Sequence, residues 1–223
     1  MNRFKDFQEF SAHLDGLGLF RMDLTLGRMQ AFVRALGPAP SRAAVQVVGT
    51  NGKGSTATFL ASVAQAHGLR TGLYTSPHFV DFRERLLLEG EMLSEQDWTD
   101  LANALERSAP GLDLTYFELL TALAALAFGQ AGTELAVYEA GLGGTWDATT
   151  ALPVDLTLFT PMGLDHEAIL GPGLARIARD KAGAMRPNGL AVTGPQEPEV
   201  LDILADRARE IGAESFHISI SHD

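Results

Sequence analysis

At 223 residues, the chain is long enough for one large α/β domain or for one domain and part of another. Its formal net charge of −11 argues against a nucleic-acid or anionic-membrane surface, so an anionic ligand would be captured locally, by loops and metal. The absence of cysteine excludes disulfides and thiolate metal sites. Because no signal peptide and no apolar stretch of about 18 residues is found, we expect a cytoplasmic protein that binds neither nucleic acid nor membrane.

The first third of the chain predicts two helices followed by a strand, a glycine-rich loop, a helix and a second strand. Apolar residues at helical spacing place the two helices within 3–37, with a flexible turn at 16–19 and an end at Gly37 and Pro38. The later elements are predicted as strand 45–48, loop 49–54, helix 55–68 and strand 71–75. This order is a βαβ unit, which requires parallel strands.

The rest of the chain alternates between helix and strand. Capping boxes, Ser94 with Asp97 and Thr115 with Glu118, begin two helices, and the second is apolar enough to be buried on most faces. The remaining predicted elements are strands 135–138, 156–159, 190–193 and 216–220, and helices 173–185 and 197–211. The predicted fold class is α/β: a P-loop and a doubly wound, mostly parallel sheet with helices on both faces.

The glycine-rich loop after the first strand has the composition of a phosphate-binding loop. Glycines allow successive N–H groups to turn towards an anion, and the following helix adds the positive end of its dipole. Lys53 would reach the outer phosphates, and the Ser55 or Thr56 hydroxyl could ligate Mg²⁺. The spacing departs from the Walker pattern, so a glycine-rich turn that merely contains a lysine is the alternative. The residues predicted to hold the nucleotide are Gly49, Thr50, Asn51, Gly52, Lys53, Gly54 and Ser55.

Polar residues follow three other predicted strands. Ser76 and His78 follow the second strand, Glu139 ends the strand at 135–138, and Asp165 and His166 follow the strand at 156–159. Ligands of open parallel sheets lie beyond the carboxyl ends of the strands, and Mg²⁺ prefers oxygen ligands. Each position also has a structural explanation as a turn, a solvated strand end or a helix cap. The residues alone likewise indicate a surface helix position for Lys181 and a capping role for Glu118.

Taken together, these residues resemble the folylpolyglutamate synthase and dihydrofolate synthase family, within the Mur ligase superfamily of ATP-dependent amide-forming enzymes. The similarity covers residues from about 17 to 195 and matches the N-terminal ATPase portion of the family. The matching stretches, which occur in family order, are 48–56, 74–78, 82–86, 115–118, 139–144, 147–149, 164–166 with 170–171, and 181–183.

The resemblance implies roles at individual positions. ATP and two Mg²⁺ ions would be the cofactors, with Ser55 on one ion and Ser76, Glu139 and His166 on the other. Lys53, Lys181 and His166 would be catalytic, and Lys181 would be carbamylated, which turns a cation into an anion that can address a metal. The implied contacts to the pterin substrate are Thr115, Tyr116, Phe117, Glu118, Trp146, Asp147 and Ala148.

The implied reaction adds L-glutamate to dihydropteroate or to a reduced folate. The acceptor carboxylate attacks the γ-phosphorus of ATP to give an acyl phosphate, and the glutamate amine then displaces phosphate. We expect residues 1–223 to form an ATP-binding domain of a monomer, incomplete at its C-terminal end and without the family's separate C-terminal domain. A nucleotide- or folate-binding module without turnover, or a ligase for peptidoglycan precursors or other amino acids, are the alternatives.

Three positions depart from the usual pattern of the family. Thr145 stands where the family usually has arginine, Thr150 stands where it usually has asparagine, and Arg83 also stands where it usually has asparagine. These differences predict altered contacts around the ligand.

Overall fold

In the computed structural model, which describes residues 3–18, 23–37 and 41–218, eight strands form a single sheet. The strands are β1 (Ala43–Val48), β2 (Thr71–Tyr74), β3 (Leu86–Leu88), β4 (Glu91–Met92), β5 (Leu135–Glu139), β6 (Leu156–Phe159), β7 (Leu190–Thr193) and β8 (Glu214–His217). The helices are α1 (Phe7–Gly16), α2 (Gly27–Leu36), α3 (Lys53–Ala66), α4 (Glu95–Ser108), α5 (Tyr116–Ala131), α6 (Glu167–Leu170), α7 (Leu174–Ala182) and α8 (Pro198–Ile211).

The strand order is β4-β3-β2-β5-β1-β6-β7-β8, and the six strands from β2 to β8 in this order are parallel. The chain leaves β1 for β2 on one side of it and later reaches β6 on the other side. The carboxyl end of β1 is therefore the topological switch point, where ligands bind in folds of this type. The predicted doubly wound, mostly parallel sheet is confirmed.

Alternate side chains of β1 face two different groups of helices, as strand geometry requires. Ala44 packs in a core that includes α4 and α5, whereas Val45 and Val47 pack against small residues of α3. Those small residues are Ala57 and Ala61, one helical turn apart, and they let α3 approach the sheet closely. The helices thus cover both faces, and β1 is buried between them.

The sequence did not predict the antiparallel hairpin β3–β4 at one edge of the sheet. Its strands have only three and two residues, too few for a period of two to be recognised. Glu89 and Gly90 connect them with φ values of 51° and 83°, which is the conformation of a two-residue hairpin turn. The 3₁₀ turns Phe82–Arg85 and Ala148–Ala151 and the short α6 were missed for the same reason of length.

Most predicted boundaries lie within three residues of the observed ones. The predicted helix 173–185 is the shorter α7, and the predicted strand 216–220 is β8, which begins two residues earlier. Part of that strand prediction, at 219 and 220, lies outside the described residues, as do Leu19 of the predicted turn and Pro38. Among the helices in the described ranges, none combines the length and the apolar character that crossing a bilayer requires.

Candidate functional site

The glycine-rich loop lies at the switch point and is held against the exit of β6. Gly49 has a φ of 157°, and a Cβ there would lie 2.0 Å from the Thr160 hydroxyl, so only glycine fits. The backbone N–H groups of Thr50 and Asn51 both donate to the Pro161 carbonyl at 3.1 Å. These two N–H groups therefore do not point into a phosphate cradle in this conformation.

The open end of the cradle is the first turn of α3. Gly52 caps this helix in the left-handed conformation, with a φ of 79°, and the helix begins at Lys53 rather than at Ser55. The first N–H groups of a helix have no intrahelical partner, and the helix dipole favours an anion there. The Lys53 ammonium lies 3.4 Å from the Thr50 carbonyl, so it folds back over the loop. This turn is the part of the predicted loop that can bind phosphate.

Glu139 ends β5 directly beside this turn. A Cβ on Gly54 would lie 3.4 Å from both carboxylate oxygens of Glu139, and the Ser76 N–H donates to Glu139 Oε2 at 2.8 Å. Burial raises the pKa of the Glu139 carboxyl, against the lowering effects of the Ser76 hydrogen bond and of Lys53. A cation bound here would favour the carboxylate, so the position suits a metal ligand.

Lys181, on α7, contacts the same loop although it lies 132 residues further along the chain. Its ammonium donates to the Gly49 carbonyl at 2.9 Å, and only 2% of the residue is exposed. Burial, with a smaller effect from Lys53, lowers the pKa of Lys181 to about 8. The surface position that periodicity alone indicates is therefore wrong, since α7 turns this lysine into the sheet's carboxyl edge.

His166 lies at the exit of β6, on a segment tied to the phosphate loop. The Thr50 hydroxyl donates to the Gly163 carbonyl at 3.1 Å, and His166 Nε2 lies 3.3 Å from Asp165 Oδ1. His166 has a φ of 50° and is the N-cap residue of α6. Across 3–18, 23–37 and 41–218 no three His, Asp or Glu side chains converge as a metal site. The predicted metal ligands are one glutamate, one histidine and two serine hydroxyls, so they do not form such a group of three. Their role as metal ligands remains a prediction.

The other residues after β2 form a turn that is fixed by polar contacts. Ser76 precedes Pro77 through a cis peptide bond, and His78 Nδ1 accepts a hydrogen bond from Arg85 Nε at 2.9 Å. Burial, together with the positive charge of Arg85, lowers the pKa of His78. The His78 ring therefore contacts Arg85, whereas the backbone of Ser76 contacts Glu139.

The predicted pterin-contacting segment begins α5, and its carboxylate is already engaged. Glu118 Oε2 accepts from the Thr115 N–H at 2.8 Å, completing the predicted capping box. The Arg28 guanidinium then pairs with both Glu118 oxygens, at 3.0 and 3.1 Å. Phe117 lies below Gly141, where a Cβ would come within 2.6 Å of its ring. The Tyr116 ring lies 5.4 Å from the Arg85 guanidinium carbon.

Asp147 organises the loop that follows β5. Its Oδ2 accepts from the N–H groups of Gly141 and Leu142, at 2.8 and 3.0 Å, and its Oδ1 accepts from the Thr149 N–H at 2.9 Å. Asp147 and Ala148 are buried, whereas Trp146 is 49% exposed. Burial raises the pKa of the Asp147 carboxyl. The structure thus gives Asp147 a role in shaping the loop and leaves the Trp146 indole accessible.

This loop is clamped onto α7 beside Lys181. Asp180 Oδ2 accepts from the Gly144 N–H at 2.9 Å, and a Cβ on Gly144 would lie 2.5 Å from the Lys181 carbonyl oxygen. Two departures from the family pattern contribute here. The Thr145 hydroxyl donates to the Asp180 carbonyl at 2.8 Å, and the Thr150 hydroxyl donates to the Gly144 carbonyl at 2.7 Å.

The sequence did not single out Gln46 or Arg28. The Gln46 amide donates to the hydroxyls of Thr149 and Thr150 at 2.8 and 2.7 Å, which links β1 to the loop after β5. A glutamine within an apolar strand run is the signal that could have found it. The third departure, Arg83, pairs with Asp81 at 2.7 Å, within the turn that precedes β3.

A parallel sheet with a glycine-rich loop at its switch point, flanked by a buried lysine and a buried glutamate, defines an α/β domain of the P-loop type. No protein-family model matches the chain. It is 38% identical over 205 residues to the dihydrofolate synthase/folylpolyglutamate synthase of Escherichia coli K12, covering 91% of the chain and 48% of that relative. The chain belongs to the folylpolyglutamate synthase and dihydrofolate synthase family and matches its N-terminal portion.

Solved structures support the same assignment. The structure of E. coli FolC in complex with DHPP and ADP is similar with a TM-score of 0.89 at 35% identity, over 97% of this chain and 52% of that one. A bifunctional folylpolyglutamate synthase/dihydrofolate synthase with Mn, AMPPNP and L-glutamate bound is similar with a TM-score of 0.86 at 33% identity, over 97% and 52%. The chain spans about half the length of these relatives.

Proposed function

We propose that the chain supplies the ATP-binding part of a ligase that joins L-glutamate to dihydropteroate, to a folyl(poly)glutamate, or to both. The observation that carries this proposal is the meeting of Lys53, Glu139 and Lys181 around the loop 49–55. Its relatives bind DHPP and ADP in one structure and Mn, AMPPNP and L-glutamate in another. Residues 1–223 would form the ATP-binding domain, with the remaining contacts supplied by a further domain.

The proposed donor set suits a divalent ion with a hard, oxygen-preferring character. Ser55 would hold one such ion and Ser76, Glu139 and His166 a second, and the ions would neutralise charge on the transferring phosphoryl group. The first turn of α3 would direct its N–H groups at the phosphates, while Lys53 would pair with the outer ones. The acceptor carboxylate attacks the γ-phosphorus with ADP leaving, and the glutamate amine then displaces phosphate from the acyl phosphate.

The environment of Lys181 also fits the carbamylation that the family resemblance implies. With a pKa of about 8, about a tenth of the amine is neutral at pH 7. The neutral Nζ would attack the carbon of CO₂ and release a proton, giving a carbamate. The product is an anion adjacent to Gly49, where it could address a bound metal or orient a water.

Glutamate-dependent ADP release from the natural gene product, with dihydropteroate as acceptor, tests the proposal. The chain contains three lysines, so Lys53→Ala can be compared with Lys5→Ala, whose side chain is 83% exposed. We expect Lys53→Ala to lower kcat/KM by at least about 100-fold, as loss of a group that stabilises transition-state charge does, and Lys5→Ala to have no effect. ATP binding without any glutamate-dependent ADP release would instead indicate the binding module.

A further inference from the structure

A cavity of about 370 Å³ opens between the loop that carries Trp146 and the beginning of α7. Its apolar wall is formed by Leu142, Trp146, Ile169 and Leu170, and Arg176 and Arg179 lie on the other wall. The two arginines are three residues apart on one helix, so their side chains share a face. The cavity therefore combines an accessible aromatic ring with two guanidinium groups.

Asp180 is the one acidic side chain among the described residues that line this cavity. Within 3–18, 23–37 and 41–218 neither Arg176 nor Arg179 forms an ion pair, although the chain has 28 acidic and 17 basic residues. The Asp180 Oδ2 accepts from the Gly144 N–H. The Arg176 side chain passes close to Gly171, where a Cβ would come within 2.2 Å of the Arg176 Nε, so glycine leaves room for this guanidinium. This arrangement suits an anionic ligand.

The cavity also adjoins both sides of the candidate site. The N–H groups of Ile169 and Leu170 donate to the His166 carbonyl at 2.8 and 2.9 Å, so the apolar wall is one turn from His166. On the opposite side, Trp146 directly precedes Asp147, in the segment predicted to contact the pterin. A group bound in the cavity would thus lie beside an acceptor bound at the candidate site.

We propose that this cavity binds the glutamyl portion of a folylpolyglutamate acceptor, an inference that rests on the proposed function. Each γ-linked glutamyl residue carries a free α-carboxylate, and guanidinium groups pair with carboxylates in a bidentate manner. The Trp146 ring provides an apolar surface for the benzoyl group or the glutamyl methylenes. Dihydropteroate has only the carboxylate that reacts, so it has no group for these arginines. The subsite would distinguish acceptors by the length of their glutamyl chain.

Kinetics of the natural gene product with two acceptors test this subsite. We expect the Arg176→Ala/Arg179→Ala double variant to raise the KM for a triglutamyl folate about tenfold more than the KM for dihydropteroate, with a small change in kcat. Arg209→Ala is the matched control, because Arg209 is an exposed arginine of α8 that pairs with Asp206 on the same helix and does not line the cavity. An equal change in KM for both acceptors, or none, would overturn the proposal.

A binding measurement separates this inference from the proposed function. The chain has two tryptophans; Trp98 is buried, so quenching of fluorescence by p-aminobenzoyl-tri-γ-glutamate would report mainly on Trp146. We expect saturable quenching that weakens at high salt and is reduced about tenfold in affinity by the double arginine variant. Unchanged affinity in that variant would refute the subsite even if the enzyme turns over. Absence of turnover with both acceptors would refute the function but not this binding.

Discussion

Removing the Glu118 carboxylate is expected to destabilise the chain strongly, because both of its oxygens hold other parts of the structure. Oε2 accepts from the Thr115 N–H and from Arg28 Nε, and Oε1 accepts from Arg28 Nη2. The side chains of Glu118 and Arg28 are 6% and 25% exposed. This pair joins the start of α2 to the start of α5 and thereby positions the segment 115–118.

The magnitude follows from the number and the burial of these bonds. A hydrogen bond to a charged group contributes about 1.5–3 kcal/mol. Arg28 is partly solvated and would still pair with Asp23, 2.7 Å away, after Glu118 is removed. We therefore reduce the expected coupling energy of the two Arg28–Glu118 hydrogen bonds to about 2 kcal/mol. Loss of the cap adds about 1 kcal/mol, so Glu118→Ala should lower the free energy of unfolding by about 3 kcal/mol. For a chain of this size, the Tm should fall by about 6–12 °C.

Urea unfolding followed by circular dichroism, on the wild type, Glu118→Ala, Arg28→Ala and the double variant, measures the coupling directly. Asp23→Ala is the control, since its pair with Arg28 is more exposed and should contribute less than about 1 kcal/mol. A coupling energy between Arg28 and Glu118 below about 0.5 kcal/mol would refute a stabilising ion pair. If Glu118→Ala still lost about 3 kcal/mol of unfolding free energy, Glu118 would act as a helix cap alone.

Two further predictions concern Lys181 and the loop packed against it. Lys181 has a pKa of about 8 in the folded chain and an ordinary value of 10.5, so between these pH values the unfolded chain binds more protons and stability rises with pH. From pH 7 to pH 10, the free energy of unfolding of the wild type should therefore rise by about 2 kcal/mol relative to that of Lys181→Met. Urea titrations without bicarbonate measure this difference, and a difference that does not change with pH would contradict the prediction. Gly144→Ala should lower stability by about 1–3 kcal/mol through its clash with the Lys181 carbonyl, whereas Gly27→Ala, which meets open space, should not. Equal thermal shifts in both glycine variants would show that the clash is relieved.

The sequence was sufficient to predict the parallel sheet and the loop at its switch point. Strand, glycine-rich turn, helix and second strand follow one another at 45–75, so local patterns predict both the elements and the parallel direction of the strands. The same rule placed Ser76 and Glu139 at one edge, and the structure brings them within 2.8 Å. Their role as metal ligands remains a prediction.

Long-range side-chain contacts could not be predicted, since nothing local specifies them. Arg28 and Glu118 are 90 residues apart in the chain, and Gln46 and Thr149 are 103 apart. Lys181 has the sequence environment of a surface lysine, but the fold buries it and places its ammonium on the Gly49 carbonyl, 132 residues away in the chain. The hairpin β3–β4 is shorter than any period can reveal. Burial and pairing at such positions depend on the assembled fold.

The position of β1 at the centre of the sheet has a consequence for synthesis of the protein. Both of its neighbours, β5 and β6, lie far downstream, and β2, the next parallel strand to emerge, does not pair with it. A nascent chain that has been translated only as far as α4 therefore carries an apolar strand with two open edges, which is a site for aggregation. Ribosome-associated chaperones would be needed most while residues 49–135 are being translated, before β5 can close the first of these edges.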